Sequence, residues 1–298
     1  MIKNNALRCS VFLAIMAALV NTCLAGAQQM IPSAIQKKLA DLEVASGGRI
    51  GLSVINTGDN MHLQYRDEER FPMCSTSKVM AVSAILNQSK KDSQLLQYKI
   101  AYTKKDVESS GYAPITKKNV IEGMVISGLC KAAITKSDNT AMNLLIKKLG
   151  GPEAVTSFAH SIGDNKFRLD RYEPELNSAI PGDLRDTTTP KAMTESLNKL
   201  VFGDALELTQ QDQLLAWLKG NTTGSARIRA GVPNGWLVGD KTGTGSYGTT
   251  NDIGIIWPPQ GSPIIVSIYF TQNKKDASPR DDVIASVTRI MINSLKVA

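Results

Sequence analysis

The sequence predicts an α+β fold in which a five-stranded antiparallel sheet is built from both ends of the chain. A helix and two strand patterns lie near the beginning of the chain, and three strand patterns followed by a helix lie near its end. The stretch between them, about residues 70–230, carries mainly helical patterns. Strands that follow one another through short turns pair in antiparallel fashion, so a parallel doubly wound sheet is not expected.

The first elements are delimited by glycine and turn residues. A helix is predicted over Ser33–Val44 and ends at Gly47-Gly48. Two strands follow, Arg49–Asn56 and Met61–Arg66, and the turn residues Thr57-Gly58-Asp59-Asn60 join them into a hairpin.

The middle of the chain carries several helix-start signals. Pro152 begins one helix and Gly163 ends it, while Thr189-Pro190 has the cap-then-proline pattern of another. Thr209 and Asp212 have the spacing of a capping box, which predicts a third helix start.

Strand patterns return near the end of the chain. They cover Gly235–Thr242, Thr250–Trp257 and Ser262–Thr271. Ser278-Pro279 then predicts the start of a final helix that runs to about Leu295.

Residues 1–27 have the pattern of a cleaved export signal. A positive segment precedes the apolar run Val11–Val20, and Ala25-Gly26-Ala27 provides small residues for cleavage. The apolar run is too short to span a bilayer. Cys23 leaves a lipoprotein signal open, although the residues before it are not small. We therefore expect an exported, periplasmic protein without a membrane segment after cleavage.

The remainder, 28–298, is expected to be a single domain with two lobes. Segments of about 28–69 and 231–298 would form an α/β lobe, and about 70–230 a helical lobe. A chain of 298 residues with 42% hydrophobic content can bury a substantial core.

Charge and cysteine content exclude some classes of protein. Loss of Lys3 and Arg8 with the signal lowers the net charge from +7 to +5, and the remaining basic residues are dispersed without interleaved aromatics. Nucleic-acid binding is therefore not expected. Cys74 and Cys130 remain; a disulfide is possible in an oxidising compartment, but we expect free buried thiols.

Ser75 and Lys78 form a candidate nucleophile and base. They lie three residues apart before a long apolar run, so on a helix the amine would lie beside the hydroxyl. A serine hydroxyl becomes an effective nucleophile when an adjacent base takes its proton. A lysine amine can be that base where burial or a neighbouring cation lowers its pKa by about 3–5 units. On this pair alone, a serine that merely caps a helix is the simpler interpretation.

Three further stretches favour a catalytic role for Ser75 over that of a helix cap. Ser137-Asp138-Asn139 follows a helical pattern, Arg171–Asn177 (RYEPELN) lies in a polar segment, and Lys241-Thr242-Gly243 ends an apolar strand pattern. Each alone is weak, because such sequences are common in turns, loops and strand ends. Their combination with Ser75-Thr76-Ser77-Lys78, in this order and context, is strong evidence for a catalytic site.

From about residue 30 to its end, the chain resembles the class A serine β-lactamases, for which this set of motifs is typical. The resemblance is closest to the cefotaximase-type (CTX-M-like) branch. The stretches that carry it are ERFPMCSTSK, FRLDRYEPELN, AIPGDLRDTT and GDKTGTGSYGTTND.

The resemblance implies a catalytic set of five residues. Ser75 would attack the lactam carbonyl, Lys78 would accept a proton, and Ser137 would pass a proton to the lactam nitrogen. Glu173 and Asn177 would hold and activate the water that hydrolyses the acyl-enzyme. Whether Lys78 or Glu173 is the base for acylation stays open.

The resemblance also implies the substrate contacts. The backbone N–H groups of Ser75 and Thr244 would form the oxyanion hole. A cationic Lys241 beside the hydroxyls of Thr242 and Thr244 suits the carboxylate of the substrate. The full predicted binding set is Tyr112, Asn139, Arg227, Lys241, Thr242, Gly243, Thr244 and Ser246. Arg171 and Asp186 are expected to pair and hold the loop of Glu173.

Arg227 enters this set because the sequence departs from the family pattern. Many class A enzymes add an arginine near the carboxylate site, at the positions of Thr250 or Asp281 here, and neither is a cation. Asp281 is expected instead to cap the first turn of the last helix. Arg227, in a segment that resembles class A carbapenemases, would substitute, with Arg280 as a weaker candidate. The alternative for Arg227 is a solvated arginine at a helix end.

The expected activity is hydrolysis of penicillins and cephalosporins, including oxyimino-cephalosporins, by a monomer that needs no cofactor. Metal-dependent hydrolysis is not expected, because His62 and His160 lie apart and lack a metal-binding spacing. Two alternatives share the serine and lysine motifs: a penicillin-binding transpeptidase or carboxypeptidase, and a non-catalytic β-lactam receptor. Neither uses a residue such as Glu173 to activate water.

Overall fold

The computed structural model describes residues 33–295, and the predicted export signal, 1–27, lies outside them. Within these residues the chain forms nine strands: β1 (Gly48–Asn56), β2 (Met61–Tyr65), β3 (Phe71–Pro72), β4 (Lys99–Ile100), β5 (Met124–Val125), β6 (Thr187–Thr188), β7 (Leu237–Thr244), β8 (Thr250–Trp257) and β9 (Ile264–Gln272).

Ten helices accompany the strands: α1 (Ser33–Ser46), α2 (Lys78–Ser89), α3 (Lys104–Ser110), α4 (Ile126–Thr135), α5 (Asn139–Leu149), α6 (Pro152–Ser161), α7 (Pro190–Val201), α8 (Leu208–Lys219), α9 (Ile228–Gly231) and α10 (Asp281–Leu295). None of the helices in this part of the chain has the length and hydropathy needed to cross a bilayer.

The main sheet has the order β2-β1-β9-β8-β7, and every neighbouring pair in it is antiparallel. Val54 of β1 and Gly254 of β8 both lie opposite Val266, so the first and last thirds of the chain meet on β9. The predicted α+β class and the five-stranded antiparallel sheet built from both ends are confirmed.

Successive residues of β9 explain how this sheet is covered on both faces. Side chains alternate between the faces of a strand. Val266, Ile268 and Phe270 belong to a core with α1 and α10, whereas Ile265 and Tyr269 belong to a second core with the helices of the middle of the chain. Because β9 is apolar on both faces, its sequence is a continuous hydrophobic run, and this run predicts the approximate bounds of the strand.

Two predicted helix starts are wrong by one or more residues. The helix α8 begins at Leu208, so Thr209 lies inside its first turn and no capping box forms with Asp212. The last helix begins at Asp281 rather than after Ser278, and the N–H of Arg280, just before it, donates to the hydroxyl of Thr250 at the start of β8. Local capping signals thus locate these two helix starts only to within about two residues.

Other predicted boundaries agree closely with the structure. β8 covers the predicted range, and α6 begins at Pro152. Thr189 caps α7 by accepting a hydrogen bond from the N–H of Ala192. Cys74 and Cys130 are both free and buried, as expected.

The two-sided burial of β9 gives a prediction for stability. Ile265→Ala should lower the free energy of unfolding by about 2–5 kcal/mol, because Ile265 is fully buried and its truncation leaves a cavity. Ile121→Ala should change it by less than about 0.5 kcal/mol, because Ile121 is 98% exposed. Urea unfolding of both variants measures the difference, and equal losses would contradict this account of the core.

Candidate active site

Ser75 lies in a tight turn that leads into α2. The residues Cys74–Ser77 form a 3₁₀-helix, and Lys78 is the first residue of the α-helix. Ser75 and Lys78 therefore lie on consecutive helical segments, of which the first is a 3₁₀-helix rather than an α-helix. In a 3₁₀ turn, residues three apart eclipse one another, which brings the Lys78 amine to 2.7 Å from Ser75 Oγ.

The Lys78 amine is buried within a shell of five oxygen atoms. Besides Ser75 Oγ, it contacts Glu173 Oε1 and Asn139 Oδ1, both at 2.7 Å. It also contacts Ser137 through the backbone carbonyl at 3.0 Å and the hydroxyl at 3.3 Å. An ammonium group has three N–H donors, so these acceptors compete for it.

Glu173 gives Ser75 a second possible base. Its Oε1 atom lies 3.3 Å from Ser75 Oγ, and the side chains of Glu173 and Lys78 are completely buried. The serine hydroxyl thus lies within hydrogen-bond distance of both an amine and a carboxylate. This arrangement can remove the serine proton by either route.

Ser137 bridges the two lysines of the site. Its hydroxyl lies 3.0 Å from the Lys241 amine as well as 3.3 Å from that of Lys78. The residue has a positive φ of 56°. Asp138 holds this turn, because its carboxylate accepts from the N–H groups of Ile115 and Thr116, both at 2.9 Å. The middle residue of Ser137-Asp138-Asn139 is therefore structural.

The backbone of Glu173 is fixed by a residue that the sequence analysis missed. Asn143 accepts from the Glu173 N–H at 2.8 Å and donates to the Glu173 carbonyl at 2.9 Å. It lies four residues after Asn139 on α5, so the two face the same side of the helix. That spacing is the signal that could have identified it.

Asn177 contacts the Glu173 side chain directly. Its Nδ2 donates to Glu173 Oε2, while its buried Oδ1 has no hydrogen-bond partner among residues 33–295. The Asn177 carbonyl accepts from the N–H of Ser246 at 3.0 Å, which links this loop to the end of β7.

The loop that carries Glu173 is closed by the predicted Arg171–Asp186 ion pair. Arg171 Nε lies 2.6 Å from Asp186 Oδ2. Burial raises the pKa of Asp186, although hydrogen bonds from Asp170 and Arg171 act in the opposite direction. The N–H of Met73 donates to the Asp186 carbonyl at 2.9 Å, so the base of this loop contacts the chain just before the nucleophile.

Lys241, on β7, provides the second buried amine of the site. Its amine donates to the Thr242 carbonyl at 2.7 Å and contacts Ser137. Burial lowers the pKa of Lys241 well below its usual range, and the charge of Lys78 lowers it further. A Cβ on Gly243 would lie 2.7 Å from the Met73 carbonyl, so only glycine lets β7 approach the nucleophile turn this closely.

The hydroxyls of Thr242 and Thr244 both have protein partners. Thr242 Oγ1 lies 2.6 Å from Thr223 Oγ1, and Thr244 Oγ1 accepts from Arg227 Nη2 at 2.7 Å. Arg227 thus reaches Thr244, one of the two threonines of the predicted carboxylate site.

Arg227 is a buried and paired residue rather than a solvated one. It is 6% exposed, and its Nη1 donates to the carbonyls of Gly243 at 2.9 Å and Asn251 at 2.7 Å. Its Nε lies 2.7 Å from Asp281 Oδ1. The expectation that Asp281 serves as a helix cap is therefore replaced by an ion pair that compensates the charge of Arg227.

The weaker candidate, Arg280, turns toward a different acid. Its Nη2 lies 2.8 Å from Asp282 Oδ2, and both side chains are exposed to solvent.

Tyr112 lies at an exposed position, and its carbonyl accepts from the N–H of Asn139 at 2.8 Å. Tyr112 is therefore next to Asn139, a predicted substrate-binding residue, although the two are far apart in the sequence.

The described residues contain no group of three or more histidine, cysteine or acidic side chains that could hold a metal ion. His62 lies on β2 with Asn60 Oδ1 at 3.4 Å, and His160 is exposed near the end of α6. The two histidines are thus on separate elements.

Two buried carboxyl groups lie beneath the cationic part of the site. Asp240 accepts from Asn221 at 2.6 Å and from Arg229 at 2.7 Å. Asp252 accepts from the N–H of Ile228 at 3.1 Å, and its other oxygen has no partner among the described residues. Burial raises the pKa of Asp252 well above its usual range, and the charge of Asp240 raises it further.

Comparison with known proteins gives consistent matches over the described chain. Residues 34–295 match the Beta-lactamase enzyme family. Beta-lactamase OXY-2 of Klebsiella oxytoca is 53% identical over 284 residues, which cover 95% of this chain and 97% of that protein. Beta-lactamase CTX-M-97 of Escherichia coli is 54% identical over 259 residues, or 87% and 88% of the two chains.

A solved structure agrees in fold as well as in sequence. It is a variant of the last common ancestor of Gram-negative class A β-lactamases, with a TM-score of 0.86 and 50% identity. The similarity covers 89% of this chain and 99% of that one.

The buried carboxyl of Asp252 gives a prediction for pH dependence. Above the usual aspartate pKa of about 3.9, the folded state keeps a proton that the unfolded state has lost. The free energy of unfolding of the wild type should therefore fall, relative to Asp252→Asn, as pH rises toward the raised folded pKa. The slope is at most about 1.4 kcal/mol per pH unit. Urea unfolding from about pH 5 to about pH 8 measures it, and parallel curves for the two proteins would contradict the prediction.

Proposed function

The chain belongs to the class A serine β-lactamases, and we propose that it opens the β-lactam ring of penicillins and cephalosporins through an acyl-enzyme on Ser75. The observation that carries this proposal is the contact of Ser75 Oγ with both Lys78 Nζ at 2.7 Å and Glu173 Oε1 at 3.3 Å. Relatives at 53–54% identity named OXY-2 and CTX-M-97 support an extended range that includes oxyimino-cephalosporins.

In the proposed acylation step, Ser75 Oγ attacks the lactam carbonyl carbon as its proton passes to the Lys78–Glu173 pair. The N–H groups of Ser75 and Thr244 would donate to the developing oxyanion. Ser75 lies in the first turn of a 3₁₀-helix, where N–H groups lack partners within the helix. Gly243 lets β7 pack against the same turn, which supports a position for the Thr244 N–H close to that of Ser75. One such donor typically contributes about 2.7–4 kcal/mol.

Ser137 is proposed to deliver the proton to the lactam nitrogen. As the carbon–nitrogen bond breaks, the nitrogen takes the hydroxyl proton of Ser137, which Lys78 or Lys241 replaces. The distances of 3.3 Å and 3.0 Å from Ser137 Oγ to the two amines support this transfer. Asn139, which already binds Lys78, would also hold the acylamide group of the substrate.

Glu173 and Asn177 are proposed to activate the water that completes hydrolysis. Glu173 would take a proton from the water as its oxygen attacks the ester carbonyl, and Ser75 would leave with a proton. The buried Oδ1 of Asn177, which has no partner among residues 33–295, supports a role as the second acceptor for this water. The Glu173 carboxylate and the Asn177 amide would let this enzyme hydrolyse its acyl-enzyme, whereas a transpeptidase or a β-lactam receptor would stay acylated.

The carboxylate of the substrate is proposed to bind at Lys241, Thr242 and Thr244, with Arg227 as an additional donor. Tyr112, Gly243 and Ser246 would line the same cleft. The 2.7 Å bond from Arg227 to Thr244 Oγ1 supports the position of the guanidinium, while Asp281 would weaken its attraction for an anion. We further propose that the enzyme is exported through residues 1–27 and acts as a periplasmic monomer without a cofactor.

Ser75→Ala should abolish covalent labelling by a penicillin, because no other serine among residues 33–295 has its hydroxyl hydrogen-bonded to both a lysine amine and a glutamate carboxylate. Mass spectrometry of the intact protein measures the adduct, and circular dichroism verifies that the variant is folded. A penicilloyl adduct on the folded variant would contradict the assignment of the nucleophile.

Glu173→Gln should still become acylated by some cephalosporins but should release product slowly, because an amide cannot accept the proton of the water. Intact-protein mass spectrometry after brief incubation should show accumulated acyl-enzyme. Glu173→Ala should also accumulate acyl-enzyme, and this control shows that the effect comes from loss of the carboxylate and not from the introduced amide. Near-normal turnover of a chromogenic cephalosporin by both variants would favour a different hydrolytic base.

Arg227→Ala should lower kcat/KM roughly 10- to 150-fold, as expected for loss of a charge-assisted hydrogen bond of about 1.5–3 kcal/mol. Asp281→Asn should act in the opposite direction, because it removes the carboxylate that competes with the substrate for Arg227. Both effects should shrink for a substrate whose carboxylate is esterified. An equal loss for the ester would assign Arg227 a purely structural role.

A further inference from the structure

A cavity lies outside the proposed active site, between one end of the main sheet and the segment 179–184. Its volume is about 600 Å³, which is within the usual range of ligand-binding sites. None of the residues assigned above to catalysis or substrate binding lines it. Its walls include three exposed apolar side chains and three arginines: Val44, Ile180, Leu184, Arg49, Arg66 and Arg70. Two carboxylates, Glu43 and Asp183, also line it, and Asp183 is paired with Arg185 at 2.7 Å.

Two of the three arginines are already neutralised by protein carboxylates. Arg49 Nη1 lies 2.7 Å from Glu69 Oε2. Arg66 contacts Glu43 and Glu69, each at 2.9 Å. Two guanidinium groups and two carboxylates thus compensate one another, and this part of the wall needs no external anion.

Arg70 differs from the other two. Within residues 33–295, no carboxylate lies within 4.0 Å of its guanidinium. Its Nη1 donates to the Lys166 carbonyl at 2.8 Å and to Thr187 Oγ1 at 3.0 Å, while Nε and Nη2 make no hydrogen bond to described residues. A half-buried guanidinium with an unused Nε–Nη2 edge is suited to bidentate binding of a carboxylate.

The electrostatic surroundings of Arg70 favour an anion. Burial and then the nearby charge of Arg168 lower the pKa of Arg70, and the smaller effects of Asp164 and Asp170 oppose them, so on balance the protein environment disfavours its positive charge. The guanidinium nevertheless stays charged in proteins. An anion that binds here therefore relieves a cost that the folded protein already carries.

The apolar side chains define the rest of the ligand. Ile180 is 45% exposed and Leu184 55% exposed, and both lie on the same wall of the cavity. Neighbouring large apolar side chains that stay exposed often mark a binding surface. A ligand that satisfies both features has one anionic head and an apolar body.

We propose that this cavity binds a small amphipathic monoanion, an organic carboxylate with an aliphatic or aromatic body. Its carboxylate pairs with the Nε–Nη2 edge of Arg70, and its body packs against Ile180 and Leu184. The segment 179–184 begins two residues after Asn177, so a bound ligand contacts the continuation of the loop that carries Glu173.

The test measures binding of octanoate to the purified protein, so it stands or fails independently of the proposed hydrolysis. Octan-1-ol supplies the same apolar body without the charge, and acetate supplies the charge without the body. Titration calorimetry should give an affinity for octanoate about tenfold or more above that for either control, as expected when a charge-assisted pair and apolar burial both contribute. Equal affinity for octan-1-ol, or no binding of octanoate, would overturn the proposal.

Variants locate the site. Arg70→Gln should weaken octanoate binding about tenfold or more, and Arg70→Lys should restore part of the loss. Leu184→Asp should also weaken it, whereas Leu208→Asp, a matched change at a side chain that is 77% exposed and lies outside the cavity, should leave it unchanged.

Two further results exclude binding at the active site. Arg227→Ala should leave octanoate binding unchanged, and hydrogen exchange should show octanoate-dependent protection of the amides in 179–184. Loss of octanoate binding in Arg227→Ala, or full binding in Leu184→Asp, would place the ligand elsewhere and overturn the proposal.

Discussion

The burial of the Lys78 amine is the constraint on which the rest of the site depends. A lysine with no exposure to solvent must receive its hydrogen bonds and its counter-charge from the protein. Here they come from four separate elements: the nucleophile turn, the loop with Ser137, the start of α5 and the loop with Glu173. Each of these elements must therefore be in place before the amine can be accommodated, and the same arrangement places both possible bases beside Ser75.

The main sheet and the order of the catalytic motifs could be predicted because they depend on local patterns. Continuous apolar runs define β8 and β9, and short motifs define the residues that surround Ser75. The conformation of Ser75 could not be predicted, because Ser-x-x-Lys is compatible with an α-helix or a 3₁₀ turn. Asn143 was missed because its partner is a backbone 30 residues away; the sequence signal that it does carry is its spacing of four residues from Asn139 on α5.

Arg227 and Asp281 illustrate a different limit. The sequence lacks a cation at two positions where the family resemblance leads us to expect one, and the resemblance of the segment around Arg227 to class A carbapenemases suggests Arg227 as the substitute. It cannot show that the acid at one of those positions is itself the partner of the substitute arginine, because the two residues are 54 positions apart. The ion pair means that the same side chain both positions Arg227 against Thr244 and offsets part of its charge.

The pairing of β1 with β9 has a consequence for how the molecule is made. Val54 lies opposite Val266, so a strand formed early in synthesis gains its partner only after more than two hundred further residues. Pairing over such separations is entropically slow, which raises the contact order of the chain. The nascent chain therefore carries its nucleophile long before it carries Lys241. Hydrolytic competence arises only when the last strands join, and a truncated or stalled chain should expose the edge of β1 to other chains.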